Sequence, residues 1–171
     1  FKNSFLMSLA NTFFTIYVFL FSNLFFYFSI FFQIKIIIFV ILLGCIASDI
    51  GGYVFGKVFK GAKLTKISPN KTLSGSIGSF LFSIIPAFIF LTIYKQSESL
   101  IYYSGNLGLL IAICLFLSLI CQLGDLFISF FKRQANVKDT GSLLPGHGGL
   151  LDRIDGIIFV IPIAFVVDKI F

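Results

Sequence analysis

Apolar residues in this chain come in long, nearly uncharged runs separated by short polar or charged breaks. A hydrocarbon core roughly 30 Å thick needs about 20 apolar residues per crossing helix. Five runs meet that length, at about 5–29, 36–56, 76–94, 106–127 and 154–170. The pattern predicts an all-α, polytopic transmembrane helical bundle of about five spans. In the first run nothing is charged from Phe5 to Phe32, and Ser22-Asn23 leaves open one tilted helix or two short re-entrant pieces. The stretch after Lys2 is too long for a signal peptide, and no A-x-A-like cleavage site follows it, so it reads as a retained span.

Composition agrees. With 58% hydrophobic residues, 12% charged residues and 25 phenylalanines among 171 positions, the chain cannot bury its apolar surface inside a water-soluble globule. The basic residues then orient it. Lys57, Lys60, Lys63, Lys66 and Lys71 lie between the second and third runs, and Lys132, Arg133, Lys138 and Arg153 between the fourth and fifth. Both loops are expected on the cytoplasmic side, since inward-facing loops carry the excess of Lys and Arg. The net charge of +6 follows from that topology and from an anionic ligand or lipid surface. Nucleic acid is not an expected partner, because no aromatic-basic interleaving occurs on a soluble face. Cys45, Cys114 and Cys121 sit within apolar runs without C-x-x-C spacing and read as packing residues.

Only seven acids exist, and five fall in two of three polar clusters on the expected cytoplasmic side. The first cluster is A-S-D-I-G-G-Y-V-F-G-K, residues 47–57. An unpaired carboxylate in a membrane costs at least about 2.5 kcal/mol, so Asp49 should face a neighbouring helix, a water cavity or a cation. Gly51, Gly52 and Gly56 leave room for close helix packing or for a ligand. The second cluster, S-P-N-K-T-L-S-G at 68–75, sets Lys71 beside the hydroxyls of Thr72 and Ser74. It reads either as a phosphate-binding turn or as a plain helix N-cap. The third starts at C-Q-L-G-D-L, residues 121–126, and continues through Ser129 to Asp155, an island holding three aspartates, four basic residues and the chain's only histidine. Asp125 and Asp152 come from opposite ends of one loop, and an antiparallel helix pair would bring them together. Such oxygen ligands suit Mg²⁺. Asp152 and Asp155, three residues apart, share a helix face. The alternative for Asp152 is an N-cap of the last span. His147, with no second histidine or nearby cysteine, reads as a phosphate contact or a loop-ordering residue rather than a zinc ligand.

The run S-x-x-K-R-x-x-x-x-K-D-x-G-x-x-L-P-x-H-G-G-L-x-D-R-I-D from Ser129 to Asp155 resembles the signature of the phosphatidate cytidylyltransferase family, the CDP-diacylglycerol synthases. D-x-G-x-Y-x-x-G-K at 49–57, S-P-x-K-T-x-x-G at 68–75 and Q-L-G-D-L at 122–126 resemble its other motifs in the same order. The resemblance covers roughly residues 40–171, dividing the chain into N-terminal spanning sequence at 1–35 and a catalytic membrane domain at 36–171. It implies a reaction in which CTP and phosphatidic acid give CDP-diacylglycerol and pyrophosphate with Mg²⁺, and a monovalent cation such as K⁺ beside it. It further implies a homodimer in the bilayer, in the plasma (inner) membrane if bacterial, with the active site facing the cytoplasm in the loop between the last two spans.

By the family's motifs, Asp125 and Asp152 fall to the metal, with Asp155 and Asp49 as further ligands or supporting partners. Lys71, Lys132, Arg133, Lys138 and Arg153 are candidates for the two phosphate groups, and Ser68, Thr72 and His147 for substrate contact. Two departures stand out: Ile128 where the family has glutamate, and Ser74 where it often has an acid or amide. The rival readings are a catalytically inactive homologue or membrane scaffold, and a CTP-dependent lipid kinase. A CDP-alcohol phosphotransferase would continue Asp155-Gly156 as D-G-x-x-A-R, which this chain does not.

Overall fold

A computed structural model describes residues 2–30, 32–65, 68, 71–93, 107–135, 137, 140–141, 149 and 151–170. Among these the chain is helical: α1 (Lys2–Ile30), α2 (Phe32–Phe59), α3 (Leu73–Ile93), α4 (Leu107–Gln134), the single turn α5 (Leu151–Ile154) and α6 (Ile157–Ile170). The stretches Ile38–Phe59, Leu73–Ile93 and Leu107–Gln134 are long and apolar enough to cross a membrane, and α1 and α6 add shorter apolar stretches at 12–27 and 157–167. The all-α bundle expected from the apolar runs is what forms.

Three boundaries carry information. The first run is one continuous helix across Ser22-Asn23, whose polar atoms are absorbed locally: Ser22 Oγ donates to the Val18 carbonyl at 2.9 Å and Asn23 Nδ2 to that of Phe19 at 2.8 Å. Helix α4 runs seven residues past the expected end at 127, and its last turn holds Lys132 and Arg133, where cations meet the negative end of the helix dipole. The last run is broken, with Asp155 and Gly156 forming a turn between α5 and α6.

Helices α2 and α3 form a tight hairpin. Lys60 ends α2 in a left-handed conformation at φ 44°, an isolated antiparallel bridge joins Lys63 to Thr72, and Leu73 N–H donates to the Ala62 carbonyl at 2.9 Å. The two axes approach because both surfaces lack side chains at the crossing. A Cβ on Gly75 would lie 2.7 Å from the Gly52 carbonyl, and one on Gly51 would lie 2.7 Å from Phe82 Cβ. The glycines of the first acidic cluster therefore pack helices rather than a ligand, as small residues do where lipid supplies no hydrophobic drive. Cys45 of α2, Leu117 and Cys121 of α4, and Val160 and Ala164 of α6 form the centre, so Cys45 and Cys121 are packing residues as expected, while Cys114 is half-buried. A buried hydrogen bond of 2.9 Å between Ser48 and Ser118 ties α2 to α4 beside it.

Candidate active site

One end of the bundle gathers the polar side chains that the apolar runs exclude. Thr72 caps α3, its Oγ1 accepting from Gly75 N–H at 3.1 Å, and Ser74 Oγ accepts from Gly61 N–H at 3.1 Å. These hydroxyls hold the hairpin loop, and Ser68 does the same work, its carbonyl accepting from Lys71 N–H at 3.1 Å. The departure at Ser74 is thus absorbed into the loop. What the loop presents is Lys71. Lys57, Lys60 and Lys63 are exposed, whereas Lys71 turns inward and forms an ion pair with Asp125 of α4.

Asp125 is the hub. It accepts a hydrogen bond from Ser129, one turn on, at 3.3 Å; it feels the charge of Asp49 on α2; and it shares a side-chain hydrogen bond with Asp155. Two glycines make that last contact possible. A Cβ on Gly156 would lie 2.9 Å from the Cys121 carbonyl oxygen, and one on Gly124 would lie 3.3 Å from that of Asp155. Without side chains there, the turn carrying Asp155 seats against α4 beside Asp125. Burial first, and then the negative charge of Asp125, push the Asp155 carboxyl up to about 7.

Lys132, two turns after Asp125 on the extension of α4, bridges the remaining carboxylates, 3.0 Å from Asp152 Oδ1 and 3.9 Å from Asp155 Oδ2. Asp152 is heavily engaged. Its Oδ2 accepts from the N–H groups of Thr140 and Gly149, each at 2.8 Å, and from Thr140 Oγ1 at 3.0 Å. Gly149 carbonyl in turn accepts from Asp152 N–H at 3.2 Å, a reciprocal arrangement like a capping box at the start of α5. Burial works to raise the Asp152 pKa, yet the Thr140 and Gly149 N–H groups, the Lys132 ammonium and the Thr140 hydroxyl outweigh it and hold the carboxyl well below the usual range.

The structure therefore brings together Asp49, Lys71, Asp125, Lys132, Asp152 and Asp155, with Thr72 and Ser68 behind Lys71. Arg133 is exposed on the last turn of α4. Lys138, His147 and the Arg153 side chain lie outside the described residues. Thr140 was not singled out in the sequence, and Ser129 and Gly149, although fixed positions of the signature, were given no role; the signal for Gly149 is its place three residues before an aspartate that opens a helix, and for Ser129 its i+4 spacing from Asp125. Ile128, the other departure, is buried and lines an apolar cavity beside Lys132.

Among the described residues, no group of three or more Asp, Glu, His or Cys side chains stands in metal-binding geometry. The charge balance nonetheless favours a cation: among the described residues Asp125, Asp152 and Asp155 pair with two ammonium groups and Asp49 adds its charge nearby, and the Asp125–Asp155 contact needs a shared proton or a positive ion between like charges. A carboxylate pair with room for water and a ligand oxygen suits Mg²⁺. Asp125 and Asp155 supply the paired oxygens, while Asp152 would join only by giving up one of its present donors.

Fold and site define an integral membrane protein that keeps an ion-paired carboxylate–lysine cluster at one end of its helices. The sequence profile of the cytidylyltransferase family matches residues 1–171, and the chain belongs to that family. It is similar to the phosphatidate cytidylyltransferase of Rickettsia typhi, 48% identical over 112 residues, which are 64% of this chain and 48% of the relative. It is likewise similar to the phosphatidate cytidylyltransferases of Rickettsia bellii, 44% identical over 124 residues covering 72% and 53%, and of Staphylococcus haemolyticus, 43% identical over 117 residues covering 68% and 42%. The chain spans about half the length of these curated relatives.

Proposed function

We propose that this chain carries the site of a phosphatidate cytidylyltransferase, joining CTP and phosphatidic acid into CDP-diacylglycerol with release of pyrophosphate. The observation that carries the reading is the convergence of Lys71, Asp125, Asp155 and Lys132 at one end of a membrane bundle, in a chain similar to proteins of that name. A phosphate oxygen of the lipid attacks the α-phosphorus of CTP, the new P–O bond forms as the bond to the β-phosphate oxygen breaks, and pyrophosphate leaves with the electron pair. No protein nucleophile takes part, so the chain must supply position and positive charge.

Asp125 and Asp155 would hold Mg²⁺, with Asp49 and Asp152 around them and a monovalent cation such as K⁺ in the same expectation. Bound there, Mg²⁺ neutralises triphosphate charge that a site with surplus carboxylates would otherwise repel. Lys71, fixed by Asp125, offers its remaining N–H donors to a phosphate. Asp152 holds Lys132 and the Thr140 and Gly149 backbone in one arrangement, and Lys138 and Arg153 are further candidates for the phosphate groups. The excess of Lys and Arg in these loops supports a cytoplasmic site, in the inner membrane of a bacterial cell. A homodimer belongs to the same reading, and light scattering corrected for detergent tests it.

The reaction is tested on the purified protein in detergent with CTP, phosphatidic acid and Mg²⁺, beside an Asp125→Asn variant. Formation of CDP-diacylglycerol by the parent, lost in the variant while thermal stability is retained, is the expected result. A parent protein that makes no CDP-diacylglycerol would overturn the reading.

A further inference from the structure

A cavity of about 660 Å³ opens between α1, α4, the following loop and α6, and the catalytic chemistry leaves it unused. Its size falls within the range of about 300–1,000 Å³ typical of small-molecule sites. Phe13 and Tyr17 of α1, Phe127 and Ile128 of α4, and Phe159 of α6 make it apolar and largely aromatic. Phe13, Phe127 and Phe131, which line it, are exposed, and Phe13 and Phe127 belong to the apolar stretches of α1 and α4. Among the described residues, the cation that lines it is Lys132.

Lys132 belongs to both compartments. On one side its ammonium touches Asp152 and Asp155; on the other it forms part of the cavity wall. An ammonium has three donors, and among the described residues that of Lys132 meets two carboxylates, one at 3.0 Å and one at 3.9 Å. Among the described residues that leaves a donor for a group entering from the cavity. The ligand that matches an apolar, aromatic slot open to lipid and ending in a fixed cation is an amphiphile with a long acyl chain and a terminal anionic phosphate. A nucleotide triphosphate fits this slot poorly, because its charge would lie against phenyl rings.

We propose that this cavity is the lipid cleft: an acyl chain of phosphatidic acid lies between α1 and α4, and its phosphate is held by Lys132. The inference rests on the proposed cytidylyl transfer and deepens it by dividing the basic residues, Lys132 to the lipid and Lys71 to the nucleotide. It also gives α1, which lacks the family's motifs, a part in the site, with Phe13 and Tyr17 shaping which chains fit. Ile128, in place of the family's glutamate, keeps the wall beside Lys132 apolar.

The chain has no tryptophan, so one introduced indole reports alone. Phe13→Trp places it on the rim of the cleft, Val137→Trp on the loop wall, and Ile89→Trp on an exposed position of α3 as control. Each variant is titrated in phosphatidylcholine nanodiscs with phosphatidic acid carrying brominated chains. The expected result is saturable loss of most of the fluorescence at the two cleft positions, at about stoichiometric lipid, reversed by unbrominated phosphatidic acid and weakened by Lys132→Met. Ile89→Trp should lose fluorescence only in proportion to bulk bromolipid. Quenching at the cleft no stronger than at the control, in protein that still makes CDP-diacylglycerol, overturns the cleft and leaves the reaction standing. Selective quenching in protein that makes no CDP-diacylglycerol supports the cleft and overturns the reaction.

Discussion

Replacing Gly156 by alanine tests whether the contact between the α5–α6 turn and α4 sets the site. The added Cβ would lie 2.9 Å from the Cys121 carbonyl oxygen and 2.5 Å from its Sγ. The thiol can rotate away, but the carbonyl belongs to the backbone of α4 and cannot. Ordinary contact begins near 3.4 Å, so the turn must withdraw by about half an ångström. Asp155 precedes Gly156 and moves with it, away from Asp125. A misplacement of 1 Å costs about 10²-fold in rate, so this shift should lower turnover about tenfold. Overpacking of this size costs about 2 kcal/mol, which for a chain of this length lowers Tm by about 4–8 °C. Turnover is measured as CDP-diacylglycerol formed at saturating CTP, and Tm by thermal shift in the same detergent. Adding Cys121→Ala removes the thiol but not the carbonyl, so it should not restore activity. Parental turnover and Tm in Gly156→Ala, or full rescue by Cys121→Ala, would refute the backbone contact as the positioning element.

The raised Asp155 pKa makes cation binding pH-dependent. Below about 7 the carboxyl keeps a proton that a divalent ion must displace, so Mn²⁺ affinity, read by electron paramagnetic resonance, should rise with pH and level off above that value. Stability of the metal-free protein runs the other way: the raised pKa contributes stability fully below the unfolded value of about 3.9, and this is lost as pH climbs through about 7. Asp155→Asn should flatten both profiles, and a flat parental profile would contradict the assignment. Asp152→Asn keeps one oxygen for the donors on Oδ2 and turns an amide NH₂ toward Lys132, so the charge-assisted bond that fixes Lys132 is lost and turnover should fall at least about 10²-fold. Near-parental activity there would remove Asp152 from the site. Gly78→Val should part α2 from α3 and with them Lys71 from Asp125, lowering both Tm and turnover, whereas Lys63→Ala, on the exposed side of the loop, should change neither.

The apolar runs made the helices legible, because a bilayer admits few other solutions for such stretches. The polar clusters marked the residues that meet: Asp49, Lys71 and Asp125 come from three motifs far apart in sequence and lie within one electrostatic neighbourhood. What the residue pattern left open was distance. Whether Gly51, Gly52 and Gly56 made room for a ligand or a helix depended on what faced them, and Gly75, Gly78 and Ser79 of α3 do. Asp152 was legible as a residue that matters but not as the acceptor of Thr140 and Gly149, since that pairing depends on how the loop folds back. The extension of α4 to Gln134 was hidden because Lys132 and Arg133 read as the end of a span, although a helix can carry them past the apolar core.

The measurement that bears most directly on the whole account follows two labels through one reaction. The protein is given phosphatidic acid, Mg²⁺ and CTP labelled at either the α- or the γ-phosphorus, and the lipid and aqueous products are separated. Transfer at the α-phosphorus predicts α-label in the lipid fraction as CDP-diacylglycerol and γ-label in pyrophosphate. Appearance of γ-label in the lipid, as a kinase would give, or of neither label there, would contradict it.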